Sequence, residues 1–279
     1  MNYRIFVPEG KGAGAPLFVA IHGCRQDADD FANGTRFDVL GRRHGAIVLY
    51  PEQDERVNGQ RCWNWFLPEN QRRDGREPAE ILALVDRIAR EHDADRSRIY
   101  LAGLSAGACM ASILAEQAPD VFAGVAAMAG VALHVAHDVN SAYAAMRGQS
   151  TTDPNAIALV GRGSAYKGSR AIVWTGAKDR RVAPVNAWQL GTQFAQLYGL
   201  NAAPDEEEAG ADGKCARWLD RTGRTRVEVR ELEGIGHAWS GGSLRGSYTA
   251  PAGPNFSEAL FRFFLEGEAG TERVIQQCG

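Results

Sequence analysis

Apolar residues in this chain gather in short unbroken runs separated by longer segments of helical period. The runs fall at 17–21, 46–50, 98–102, 125–128 and 171–174, with further strand-like segments at 3–7 and 227–232. Runs this short and this continuously apolar suit strands covered on both faces, as in a parallel sheet. Between them, residues 79–91 carry Ile81, Leu82, Val85, Ile88 and Ala89 at helical spacing. Residues 106–118 are rich in helix formers and end before Pro119, residues 185–198 follow Pro184, and 256–266 form a last helix. Strand and helix in alternation predict an α/β fold, with right-handed crossovers placing helices on both faces of the sheet. Ligands of such sheets bind beyond the carboxyl ends of the strands. The loops beginning at His22, Pro51, Gly103, Ala129 and Thr175 are therefore expected to converge.

No linker, repeat or low-complexity tract divides the 279 residues, of which 44% are hydrophobic, so residues 1–279 are expected to form a single catalytic domain. The charge run 205–208 reads as a solvated loop. A net charge of −3 points to neither nucleic acid nor an anionic membrane as partner. No apolar stretch is long enough to span a bilayer. A first strand so close to Met1 implies that a signal peptide was removed or never present. A homo-oligomer is compatible with all of this.

Five cysteines, Cys24, Cys62, Cys109, Cys215 and Cys278, show no C-x-x-C spacing, and the histidines are too scattered for a zinc site, so no metal and no cofactor is expected. Cys109 lies on the apolar side of its helix and reads as a small buried hydrophobe. The other four can form two bridges, which implies an oxidising compartment.

The motif with most chemistry is Gly103-Leu104-Ser105-Ala106-Gly107, lying between the run at 98–102 and the helix at 106–118. A serine lifted onto a tight strand-to-helix turn is a nucleophile elbow, and the glycines two before and two after it let the backbone bend. The helix N-terminus beyond favours developing negative charge. In this arrangement the chain order is nucleophile, acid, histidine. His22, His44 and His92 precede Ser105, and His134 and His137 precede the strand at 171–174, which leaves His237 on the glycine-flanked loop after 227–232. Asp179 fits the acid best, since it follows that strand and the turn Gly176-Ala177-Lys178; Asp205 and Asp212 remain admissible by order alone. Donors for an oxyanion are expected from the amides of Ala106 and of Cys24, which follows Gly23 on the first sharp loop.

Five segments now carry a resemblance: LFVAIHGC at 17–24, Tyr50-Pro51-Glu52-Gln53, Cys62-Trp63-Asn64-Trp65-Phe66, the elbow, and Gly236-His237-Ala238-Trp239-Ser240-Gly241-Gly242 with Gly246-Ser247-Tyr248-Thr249. Together they resemble the poly(3-hydroxybutyrate) depolymerase family of α/β-hydrolase esterases, which includes feruloyl and acetylxylan esterases. The resemblance implies the α/β-hydrolase fold, the triad Ser105, Asp179, His237, an oxyanion hole at Cys24 and Ala106, and a Cys24–Cys62 disulfide; such a bridge points to a secreted or periplasmic protein.

Two departures bear on substrate. Arg25 stands where the family usually has a small polar residue, and the acid loop reads Thr175-Gly176-Ala177-Lys178-Asp179-Arg180-Arg181-Val182 in place of H-G-D-x-D-R-T-V. With Arg61, Arg72, Arg73 and Arg76 near the Cys62 loop, these predict a cationic cleft that concentrates anions. Arg25, Arg61, Arg72, Lys178 and Arg181 are the expected anion contacts, with Trp63 and Trp239 lining the groove. A relative that suits the pattern is the poly(aspartic acid) hydrolase group, which cleaves amide bonds of a polyanion. The chain also ends soon after its last helix, without the linker and surface-binding domain usual in depolymerases of insoluble polyester, which favours a soluble polymer or oligomer. Two enzymatic readings follow with equal weight: amide hydrolysis of a soluble polyanion, and ester hydrolysis of hydroxyalkanoate oligomers or feruloyl or acetylxylan esters. A non-catalytic binding protein on the same scaffold is opposed by the intact Ser, Asp, His order.

Overall fold

The structure, a computed structural model, describes residues 1–10, 13–153, 166 and 169–266. Its elements are β1 (Asn2–Phe6), β2 (Ala15–Ile21), α1 (Ala28–Thr35), α2 (Phe37–His44), β3 (Ile47–Glu52), α3 (Arg76–Glu91), β4 (Ala94–Leu104), α4 (Ala106–Gln117), β5 (Gly124–Met128), α5 (Val139–Met146), β6 (Arg170–Gly176), α6 (Val185–Leu197), β7 (Glu206–Gly210), β8 (Gly213–Leu219), β9 (Thr225–Leu232), β10 (Trp239–Ser240), β11 (Thr249–Ala250) and α7 (Phe256–Leu265).

Nine of these strands form one sheet in the order β1-β3-β2-β4-β5-β6-β9-β8-β7. The interior strands from β3 to β9 are parallel, while β1, β8 and β7 pair antiparallel at the two edges. All five apolar runs and the strand-like segments at 3–7 and 227–232 fall on strands of this sheet. Side chains of β2 show why: Leu17, Val19 and Ile21 enter one core with α3, α4 and α6, while Phe18 and Ala20 enter a second core with α1, α2 and α7. Both faces are thus apolar, and the run shows no alternation. The second core is strongly aromatic, with Phe18 stacked on Phe261 at 4.0 Å between ring centroids.

The charge run expected to be a solvated loop is solvated, but its residues 206–208 belong to edge strand β7, paired with β8. All five residues of β7 are exposed, and a charged edge of this kind resists pairing with another chain. Among the described residues no helix is long and apolar enough to cross a membrane.

Candidate active site

Ser105 lies between β4 and α4 with φ +56° and ψ −119°, a conformation that costs an L-residue about 1–3 kcal/mol and is held by its surroundings. Its amide donates to Met128 O at 2.9 Å, and its carbonyl accepts from Cys109 N at 3.0 Å as α4 begins. The flanking glycines are required by close approach. A Cβ on Gly103 would lie 2.3 Å from Gly107 O, and one on Gly107 would lie 2.1 Å from Ile21 O.

Two further loops reach the serine. Asp179 follows β6, and its carboxylate is fully buried; Oδ1 accepts from the amides of Arg181 at 2.8 Å and Val182 at 2.9 Å. Its Oδ2 lies 2.7 Å from Nδ1 of His237, whose Nε2 lies 3.0 Å from Ser105 Oγ. The acid and histidine loops touch directly: Lys178 N donates to Ile235 O at 2.8 Å, and a Cβ on Gly176 would lie 2.3 Å from that same oxygen. The three side chains chosen by chain order therefore form one continuous relay, and Asp205 and Asp212 have no part in it.

This relay opens into a cleft of about 460 Å³ bordered by Cys24, Arg25, Trp65, Phe66, Tyr143 and Tyr248, among others. Among the described residues, neither the Cys24 amide nor the Ala106 amide donates to a protein acceptor. Cys24 and Cys62 are joined by a disulfide, as the resemblance implied. Cys109 is buried, accepts from Val131 N at 3.3 Å, and burial pushes its thiol up to about 12, so it is an inert core residue as expected. Cys215 is buried in β8; Cys278 lies outside the described residues.

Several expected substrate contacts need correction. Trp239 does not face the cleft. Its ring is buried against Phe31, Phe37 and Phe256, and Nε1 donates to Ser257 Oγ, because β10 pairs with β11 and turns the ring inward. Trp63 borders the cleft but is fully buried, with Nε1 donating to His22 O at 3.0 Å, so it supports the wall from behind. Arg61 is paired with Asp27 and Glu55, Arg72 with Asp74, Arg73 with Asp120 and Arg76 with Glu80; none borders the cleft. Lys178 is exposed outside it. Arg25 and Arg181 do border it: Arg25 Nε donates to Gln60 Oε1 at 2.7 Å, and Arg181 lies over the Tyr248 ring.

The sequence reading also missed supporting groups. His22, fully buried, accepts from Gln53 N at Nε2 and meets Gly23 O at Nδ1, which locks the turn leading to Cys24; burial lowers its pKa and keeps the ring neutral. Glu77 of α3 holds the Cys62 loop through Asn64, and Gln26 receives the Gly23 amide. Helix α5 supplies an unforeseen wall, with Val139 and Tyr143 more than half exposed beside the cleft. Polar residues at the carboxyl ends of strands, such as His22 and Gln53, were the available signal.

The family described as Esterase PHB depolymerase matches residues 1–217. The chain belongs to this family. It is 35% identical over 242 residues to a poly(3-hydroxyalkanoate) depolymerase C of Paucimonas lemoignei, covering 85% of this chain and 58% of that protein. It is 28% identical over 249 residues to acetylxylan esterase A of Emericella nidulans, covering 85% and 80% of the two chains. The solved acetyl xylan esterase from Aspergillus awamori superimposes with a TM-score of 0.72 at 21% identity, over 84% of this chain and 88% of that one. The fold is therefore that of the α/β-hydrolases, as the strand order above already indicates.

Proposed function

We propose that this esterase-family chain is a serine hydrolase of carboxylic esters in an oligomeric or polymeric substrate, acting through an acyl-enzyme. The observation that carries the reading is the relay from Asp179 through His237 to Ser105 at the floor of an open cleft. In it, His237 Nε2 takes the proton of Ser105 as Oγ attacks the ester carbonyl, and Asp179 orients the ring and stabilises the imidazolium. The amides of Cys24 and Ala106 receive the charge that develops on the carbonyl oxygen. His237 then returns its proton to the leaving alkoxide, and water repeats the sequence on the acyl-enzyme. The disulfide and the family relationship support a secreted or periplasmic location.

A second reading, cleavage of a polyanion such as poly(aspartic acid), draws on Arg25 and Arg181 alone, since the other arginines invoked for it are paired elsewhere. The relatives named above favour esters. Rates on p-nitrophenyl butyrate, a hydroxybutyrate oligomer and poly(aspartic acid) separate the two. Ester turnover that Ser105→Ala reduces by at least a thousandfold in a still-folded protein is the expected result. Wild-type-like turnover by that variant refutes the relay, and cleavage of poly(aspartic acid) without ester turnover refutes the ester reading.

A further inference from the structure

A second pocket, of about 330 Å³, opens at the other end of the sheet between Arg96 and Tyr100 of β4, Asp120, Arg170 at the start of β6, Arg224 before β9, and Phe264 of α7. The length of β6, seven residues or about 20 Å, separates it from the acid loop, so it is no part of the catalytic cleft.

Among the described residues neither Arg170 nor Arg224 forms an ion pair with a carboxylate, whereas Arg96 is paired with Asp86 at 2.8 Å. Arg170 is only 7% exposed; its Nε donates to Thr225 O at 3.0 Å, Nη1 donates to Phe263 O, and the guanidinium lies 3.7 Å from the Phe263 ring centroid. Backbone carbonyls and a ring face satisfy some of its donors but do not neutralise it. Arg224 has a buried Nε with no acceptor. Arg226, beside them, is spent on the carbonyls of Ser169 and Tyr166. The nearby carboxylates have hydrogen-bond or ion-pair partners of their own, with Asp220 and Glu228 acting on Arg226 and Arg170 only through space. Asp120 takes Arg73, and Asp86 takes Arg90 and Arg96. Asp220 takes Thr222 and the Arg224 amide. Glu228 takes Arg217, Arg230 and the Trp174 indole. Burial, reinforced by Arg224 and Arg226 and only partly offset by Tyr100 and Glu228, pulls Arg170 down to about 10.

We propose that this pocket is a binding site for a phosphate-class oxyanion, held by Arg170 and Arg224 with Arg96 at its rim. Two guanidinium groups facing one space call for a ligand of more than one negative charge with several acceptor oxygens, and planar N–H forks match such oxygens. A bound anion would connect β4, β6, the turn before β9 and α7, and would therefore stabilise the folded chain over the unfolded one.

The test is thermal unfolding of the full chain at fixed ionic strength, titrated with inorganic phosphate against sodium chloride. A saturable rise in Tm with phosphate alone is expected, retained in Ser105→Ala and lost in Arg224→Gln, a half-exposed position where the variant should fold even if Arg170→Met does not. A parallel titration with glycerol phosphate identifies the source: tighter binding than inorganic phosphate assigns a phosphate ester, equal or weaker binding a free anion. No rise beyond the chloride control, or a rise that Arg224→Gln keeps, overturns the proposal.

Discussion

Glu77 is the most consequential carboxylate outside the relay. It is 3% exposed in the first turn of α3 and accepts three hydrogen bonds: from Gln53 Nε2 at 2.7 Å, Asn64 Nδ2 at 2.6 Å and Asn64 N at 2.8 Å. Replacing it with alanine removes the acceptor of one buried and two half-buried donors and their charge-assisted bonds. At roughly 1–1.5 kcal/mol for each, Glu77→Ala should cost about 3–5 kcal/mol. Glu77→Gln keeps one oxygen and removes the buried charge, so it should cost about 1 kcal/mol. Burial raises the Glu77 pKa above its ordinary value, outweighing the hydrogen bonds that lower it. The folded chain then holds the proton more tightly than the unfolded chain. That contribution to stability is complete below the unfolded pKa and is lost as pH rises through the folded one. Urea unfolding of both variants and the parent across pH 4 to 7 checks this: the stability gap between parent and Glu77→Gln should narrow or reverse as pH rises. Because Asn64 lies in the loop that carries Cys62 and Trp63, kcat/KM of Glu77→Ala should also fall on the order of tenfold. An alanine variant within about 1 kcal/mol of the parent, with an unchanged pH profile, would refute the reasoning.

Two other outcomes are expected. Replacing Cys24 and Cys62 together with alanine opens a link across 38 residues, which chain entropy values at about 4 kcal/mol, and should lower kcat more than it raises KM because the Cys24 amide loses its anchor; urea unfolding and steady-state kinetics measure both. Arg181→Gln should reduce kcat/KM on an ester bearing a carboxylate, relative to a neutral ester, by about two- to fivefold, the size of a screened surface contact, and the ratio should collapse at 1 M salt; equal losses on both esters would make Arg181 structural.

Much of the fold was legible because two-sided burial leaves an unambiguous mark. Runs such as 17–21 and 171–174 carry no polar residue, and each became a sheet strand within two residues or so at either end. The helices at 79–91, 106–118 and 185–198 were likewise legible from period and from proline. What escaped were elements with a weak pattern. β7 is charged and wholly exposed, its strand character coming from pairing with β8 rather than from its own sequence. Helix α5 has eight residues and owes its start to a capping box between Asp138 and Ser141, a signal too short to stand out against loop composition.

In the site, order along the chain selected Ser105, Asp179 and His237 correctly as neighbours because a strand, an elbow and two strand-end loops have fixed places in this topology. The cationic cleft did not follow by the same logic, and the reason is physical. The sign of a side chain is written in the sequence, but its field depends on what stands within a few ångströms of it. Arg61, Arg72, Arg73 and Arg76 each meet a carboxylate at 3.5 Å or less, and a paired exposed charge leaves little potential beyond a Debye length. Arg170 and Arg224 drew no attention in the sequence, lying far from any motif. Both are partly buried, and among the described residues neither forms an ion pair, so what sets them apart is burial without a paired carboxylate, which the sequence does not display.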